Sequence, residues 1–144
     1  MIRRLDKTKL DHVMKIWLEA NISAHDFILE DYWKDNYNIV KEALPEATVL
    51  IYEDQEGIKG FIGIVEESYI AGLFVSDQYK NEGIGSKLVE KCKEDYSMLA
   101  LDVYAKNVKA IRFYEKHGFR IINKKENADT KENEYSMVWN KLQM

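Results

Sequence analysis

The sequence predicts a mixed α/β (α+β) fold built on one largely antiparallel sheet, and three observations lead there. Two helix-period apolar patterns precede Pro45. The pattern then switches to three consecutive strand-like runs. Beyond residue 76, helical patterns and strand runs alternate, which places a β-α-β crossover in the second half. The predicted order is β-α-α-β-β-β-α-β-α-β-β, with a short strand at the start.

Asp6 or Thr8 can cap a first helix whose Leu10, Val13, Met14, Trp17 and Leu18 share one face. Trp33, Tyr37, Val40 and Leu44 mark a second helix, which Pro45 ends. "ATVLIYE" and "IKGFIGIVE" form a hairpin about the turn "DQEG", and "SYIAGLFV" follows a tight acidic turn at Glu66-Glu67. Ile84, Leu88, Val89 and Cys92 fall at helical spacing, with Lys87, Glu90, Lys91 and Glu94 facing solvent. "MLALDVY" is a strand. In "NVKAIRFYEKHG", Asn107 suits an N-cap and Gly118 the position after the helix. "FRIINKK" and "EYSMVW" close the chain as two strands around "ENADTKEN".

The chain of 144 residues is large enough for one domain, 1–144, with a true core. No apolar run approaches the roughly 20 residues that span a bilayer. "MIRRLDKTKLDH" lacks the apolar centre of a signal peptide. The single cysteine, Cys92, allows neither an internal disulfide nor a cysteine-based zinc site, and it reads as a buried structural residue. A cytoplasmic protein with no metal is expected. The net charge of −4 argues mildly against a general nucleic-acid binder.

The segment "DQYKNEGIGSKLVEKCKE" puts Gly83 and Gly85 where a helix must nucleate. Glycine there costs roughly 1 kcal/mol against alanine. Bare main-chain N–H groups at a helix start, on its partly positive end, suit a bulky anion, and Ser86 can add a hydroxyl donor. The alternative is plain turn chemistry. The segment is neither a P-loop nor a dinucleotide fingerprint, because Leu88 stands where the third glycine would fall.

In its wider context the segment "LFVSDQYKNEGIGSKLVE" resembles the pyrophosphate-binding motif of the GNAT superfamily of N-acetyltransferases: a strand, then Q/R-x-x-G-x-G/A, then a helix. Here the motif reads Lys80-Asn81-Glu82-Gly83-Ile84-Gly85, with Lys80 departing from the usual Gln or Arg. About 20 residues on, "LDVYAKNVKAIRFYEKHGF" is similar to the family's second motif, with Asn107, Ala110, Phe113, Tyr114, Gly118 and Phe119 at matching positions. The element order fits as well, so the resemblance covers essentially the whole chain. It implies helices on both faces of the sheet, acetyl-CoA as cofactor and acetyl transfer to an amine. It also implies that the fourth and fifth strands splay to admit the pantetheine arm against the main chain of Leu73, Phe74 and Val75. The diphosphate would then meet Lys80, Asn81, Glu82, Gly83, Ile84, Gly85 and Ser86, with Asn107, Ala110 and Phe113 adding contacts.

The resemblance makes Tyr114 the general acid for the leaving thiolate, since a phenol stays protonated at neutral pH; a core aromatic is the alternative. The Leu73 N–H is a candidate oxyanion donor. Tyr69 occupies the place where some relatives carry a glutamate; a poor base itself, it can order a relaying water. Glu66 and Glu67, near the start of that strand, read as a solvated turn. His25, with Phe27, falls in the connection that lines the acceptor site in this fold, but a surface or capping histidine is equally consistent. His12 and His117 read as structural. Glu19, Asp26, Glu30 and Asp31, beside Trp17, Phe27, Tyr32 and Trp33, would favour a cationic amine if they face the cleft; otherwise they are a solvated helix start and core aromatics. The expected partner is a small-molecule or protein amine, with no nucleic acid or membrane, and the protein is a monomer or homodimer. Two other functions stay open: a catalytically silent acyl-CoA sensor or partner domain, and a phosphate-binding protein of another kind, which the second motif disfavours.

Overall fold

The computed structural model describes residues 1–141. The chain starts with strand β1 (Ile2–Arg4) and a single 3-10 turn at Lys7–Lys9. Asp6 caps that turn, accepting from the Thr8 N–H at 2.9 Å, so the predicted cap serves the turn and helix α1 (Leu10–Ala24) starts after it without a side-chain cap. Helix α2 (Glu30–Ala43) has Glu30 and Asp31 in its first turn, where carboxylates meet the positive end of the helix. Pro45 opens the following 3-10 turn, Leu44–Glu46.

Strands β2 (Thr48–Asp54), β3 (Gly57–Val65) and β4 (Tyr69–Val75) form the predicted meander. Glu66 and Glu67 both take positive φ, at 49° and 73°, to make the tight turn before β4. Helix α3 (Ile84–Asp95), strand β5 (Met98–Tyr104), helix α4 (Val108–Lys116), and strands β6 (Arg120–Glu126) and β7 (Asn133–Asn140) complete the chain. Asn107 caps α4, its side chain accepting from the Ala110 N–H, and Gly118 ends it at φ +88°.

Among the described residues, seven strands join one sheet in the order β1-β2-β3-β4-β5-β7-β6. Every pairing is antiparallel except β4 with β5, which is parallel. Two apolar layers cover the sheet. Val13, Met14, Ile16, Trp17 and Trp33 of α1 and α2 pack on one face against Ile51, Ile58 and Phe61. Leu88, Val89 and Cys92 of α3, with Ile111 and Tyr114 of α4, pack on the other against Ile62, Leu99, Leu101 and Met137. Burying each such aliphatic side chain contributes about 1.5–3 kcal/mol.

Candidate active site

The sheet parts at its centre. β4 and β5 share one registered pair, Tyr69↔Ala100, held by the Ala100 N–H donating to the Ser68 carbonyl at 2.9 Å. Beyond that pair the strands diverge. The register of β4 on β3 skips Ala71, a bulge just past the point of divergence, and bulges of this kind bend a strand away from its neighbour. Leu73 and Tyr104 both lie four residues beyond the shared pair, roughly 13 Å along their strands, on opposite lips of the cleft. From Ala71 to Val75, β4 has no ladder partner on its β5 side among the described residues. The Ser76 N–H donates to the Lys59 carbonyl, so by alternation Phe74 faces β3 and the main-chain groups of Leu73 and Val75 are open to a bound chain.

At the end of β4 the chain makes a short 3-10 turn, Asp77–Tyr79, and then the glycine turn. Asn81 (φ +67°) and Gly83 (φ +80°) are both left-handed, and Gly83 is the N-cap of α3. Such alternation turns successive N–H groups to one side and forms an anion-binding concavity. The two glycines serve different needs. A Cβ on Gly83 would meet nothing within 4 Å, so the requirement there is conformational. A Cβ on Gly85 would lie 3.4 Å from the Phe113 ring and 3.8 Å from Val75 Cγ2, so the requirement there is close approach of α4 and β4 to α3. Lys80 pairs with Asp77 at 2.8 Å on the surface. Lys59 anchors the turn from β3. Its buried ammonium lies 2.7 Å from Asp54, 3.2 Å from Glu56 and 3.9 Å from Glu82, and 4.3 Å over the Tyr79 ring. The Asp54 hydrogen bond outweighs burial and holds this ammonium well above the ordinary lysine range.

On the α3–α4 side of the cleft, Tyr114 is buried between the Phe113 and Phe119 rings, each with its centroid 5.3 Å away. Burial alone pushes its phenol up, so it holds its proton throughout the neutral range. Leu73, Val75, Ala110 and Phe113 pack around the same layer. The Phe74 ring faces the other layer, 5.4 Å from the Phe61 ring centroid, and its main chain faces Phe61 in the β3–β4 ladder. The expected Phe74 contact therefore falls away, and the open side of β4 is offered by Leu73 and Val75.

The α1–α2 side is polar and carries residues that sequence reasoning missed. The Tyr69 hydroxyl donates to Asp102 Oδ2 at 2.7 Å, Ser136 donates to Oδ1 at 2.6 Å, and the Lys125 ammonium stands 3.1 Å from Oδ2. Burial opposes the Asp102 charge, but the Ser136, Tyr69 and Lys125 donors outweigh it and hold the carboxyl below its usual range. Tyr69 shifts the opposite way: burial, then its bond to Asp102, raises its phenol. Its proton is committed to Asp102, which leaves its lone pairs to order a water. Glu134, facing Tyr104 across the β5–β7 pair, is raised above the usual carboxyl range by burial, against a hydrogen bond from Asn127. Burial likewise pushes Tyr104 up to about 12.

His25 closes this side. It caps the end of α1, its Nδ1–H donating to the Asn21 carbonyl at 3.0 Å. That bond fixes the tautomer and leaves Nε2 to accept from the Asn107 amide at 3.4 Å. The ring stacks on Trp33 at 5.2 Å and meets Tyr104 and Phe27 edge-on at 5.2 and 5.7 Å. Burial lowers its pKa, and its bond to Asn21 is that of a helix cap. Of the acidic residues expected beside it, Glu30 pairs with Lys34 at 3.7 Å, and Glu19 lines a cavity of about 610 Å³ between α1, Glu56 and Asp77.

The sheet thus parts beside a left-handed glycine turn, with the buried Tyr114 phenol on the α3–α4 side. Residues 21–136 match the family described as "Acetyltransferase (GNAT) domain", so the chain belongs to the GNAT acetyltransferases and is an N-acetyltransferase that transfers acetyl to an amine. It is 32% identical over 140 residues to the peptidyl-lysine N-acetyltransferase YiaC of Escherichia coli K12, covering 96% of each chain. Its fold matches the solution structure of apo YjaB from Escherichia coli, with TM-score 0.84, 22% identity and 96% of each chain covered. It also matches an aminoglycoside 6'-N-acetyltransferase complexed with coenzyme A, with TM-score 0.75, 17% identity, and 100% and 98% of the two chains covered. The family uses acetyl-CoA. Among the described residues, no helix is long and apolar enough to cross a membrane.

Proposed function

We propose that this enzyme, a single domain over 1–144, binds acetyl-CoA between β4 and β5 and acetylates lysine side chains of cytoplasmic proteins. The observation that carries the reading is the divergence of β4 from β5 after the single pair Tyr69↔Ala100. The name of YiaC, a relative along nearly the whole chain, supports lysine as the acceptor. The bare N–H groups about Asn81 and Gly83, with Ser86, grip the diphosphate, and the free side of Leu73 and Val75 holds the pantetheine arm. Asn107, Ala110 and Phe113 wall the cleft from α4.

Bound acetyl-CoA supplies an activated acetyl thioester. The Leu73 N–H donates to the carbonyl oxygen as negative charge develops there. Tyr114 keeps its proton for the departing sulfur. On the opposite side the ionised Asp102, close to Tyr69 and Glu134, favours a cationic amine, and Tyr69 orders a water that accepts the amine's proton and passes it to bulk solvent. His25 and Phe27 shape the entrance for the acceptor.

The test incubates the protein with acetyl-CoA and one acceptor at a time: a lysine-containing protein, its peptides, polyamines and free amino acids. Thiol release and acetyl-lysine by mass spectrometry are the readouts. The expected result is amine-dependent thiol release that is fastest with lysine in polypeptide. Faster turnover of small amines overturns the acceptor assignment. Tight cofactor binding without release on any acceptor would favour the sensor.

A further inference from the structure

Ser86, in the first turn of α3, belongs to a relay that runs away from the glycine turn. Its hydroxyl stands 2.9 Å from His117 Nε2 at the end of α4. The other ring nitrogen, Nδ1, stands 2.8 Å from Glu90 Oε2, one turn further along α3. Glu90 also pairs with Lys93 at 3.1 Å, and the Lys93 ammonium donates to the His117 carbonyl. The Phe113 ring covers the imidazole at 4.6 Å, and the His117 side chain is 11% exposed. The groups facing His117 are therefore Ser86, Glu90 and Lys93 from α3 and Phe113 from its own helix.

Hydrogen-bond counting gives this relay two states. An ionised carboxylate only accepts, so Nδ1 carries the hydrogen shared with Glu90. With neutral imidazole, Nε2 is an acceptor. The Ser86 proton then points at His117, and the serine oxygen has only lone pairs left for any second partner. With imidazolium, Nε2–H donates to the Ser86 oxygen, and the serine proton is free to point outward. A diphosphate oxygen only accepts. Ser86 can therefore donate to it while keeping its His117 bond only in the second state.

We propose that His117 and Glu90 are positioning residues that turn the Ser86 hydroxyl toward the diphosphate of the cofactor, and that binding takes up a proton from solvent at His117. The inference rests on the reading that the Gly83 turn holds that diphosphate. Its consequence is a cofactor affinity that rises as pH falls.

The test is calorimetry with 3'-dephospho-coenzyme A, which keeps the diphosphate but lacks the phosphate monoester that itself titrates near pH 6. Titrations in two buffers of different ionisation enthalpy count the protons taken up. The wild-type chain should take up a fraction of a proton and bind about three- to tenfold more tightly at about pH 6 than at about pH 8. Ser86→Ala and His117→Gln should each bind without proton uptake and with a flat pH profile, and KM for acetyl-CoA should rise while kcat holds. S-acetylpantetheine, which lacks the diphosphate, should be used equally well by the wild type and His117→Gln. A flat wild-type profile, or proton uptake that persists in either variant, overturns the proposal. Gly83→Asp separates this failure from that of the underlying reading. If Gly83→Asp abolishes binding while Ser86→Ala and His117→Gln behave as wild type, the cradle stands and the relay has no part in it. If Gly83→Asp binds normally, the diphosphate lies elsewhere and both readings fall.

Discussion

The two sides of the parted sheet are built from different materials. On the α3–α4 side the working parts are main chain and hydrocarbon: the open edge of β4, the left-handed turn at Asn81 and Gly83, and a phenol sealed among aromatic rings. On the α1–α2 side they are polar side chains from four strands, with Asp102 held by donors from β4, β6 and β7. In the proposed function the first side holds the cofactor through groups that every residue possesses, whereas the second selects the acceptor by charge and shape and so depends on which side chains are present.

Four substitutions would break or sharpen this contrast. Gly83→Asp should have the largest effect. It forces an L side chain to φ +80° and sets a carboxylate against the diphosphate site, so acetyl-CoA affinity should fall about 100-fold or more while circular dichroism stays native. Calorimetry showing wild-type affinity would remove the main-chain cradle. Tyr114→Phe comes next. Loss of a general acid should lower kcat by about 10²–10⁴ with little change in KM for acetyl-CoA, and unchanged turnover would make Tyr114 a packing residue.

Asp102→Asn should act on the acceptor side, raising KM for the amine several-fold and costing about 1–3 kcal/mol of stability as charge-assisted bonds weaken. The folded-state pKa of Asp102 is depressed, so its stabilising effect is present above the unfolded value near 4 and is lost as pH falls through the folded value. Urea unfolding of Asp102→Asn should therefore depend less on pH in that acidic window than unfolding of the wild type. A parallel dependence would detach the carboxylate from the fold. His25→Gln should have the smallest effect, about 1 kcal/mol. His25 is also depressed, so the unfolded chain binds the proton first. Stability falls as pH drops below about 6.5 toward the lower folded value, and the variant should lack that slope. An identical slope in both proteins would assign it to another group.

The same contrast explains what could be read from the chain. Glycines, caps and apolar spacing are local signals, so the element order, the Gly83 turn, the Asn107 cap and the placement of Tyr114 on its helix were legible. Asp102 was visible as a lone acid in "MLALDVY", but its partners lie 33, 34 and 23 residues away and meet it only through strand register. Tyr69 was legible as a strand residue near the cleft; that its proton is tied to Asp102 was not. His117 read as structural because a histidine before a terminating glycine has an ordinary local explanation. Its bonds to Ser86 and Glu90 cross from α4 to α3. The separate roles of Gly83 and Gly85 likewise needed the position of Phe113.

Lys59 ties the β2–β3 hairpin tip to the loop beyond β4 through one ammonium. The loop is thereby indexed to a rigid frame and does not have to find its own position. A replacement at Asp54 or Glu56, on a remote corner of the molecule, is felt at the glycine turn proposed to hold the diphosphate. On that proposal the corner is a dial for tuning cofactor grip without touching a single group in the reaction path.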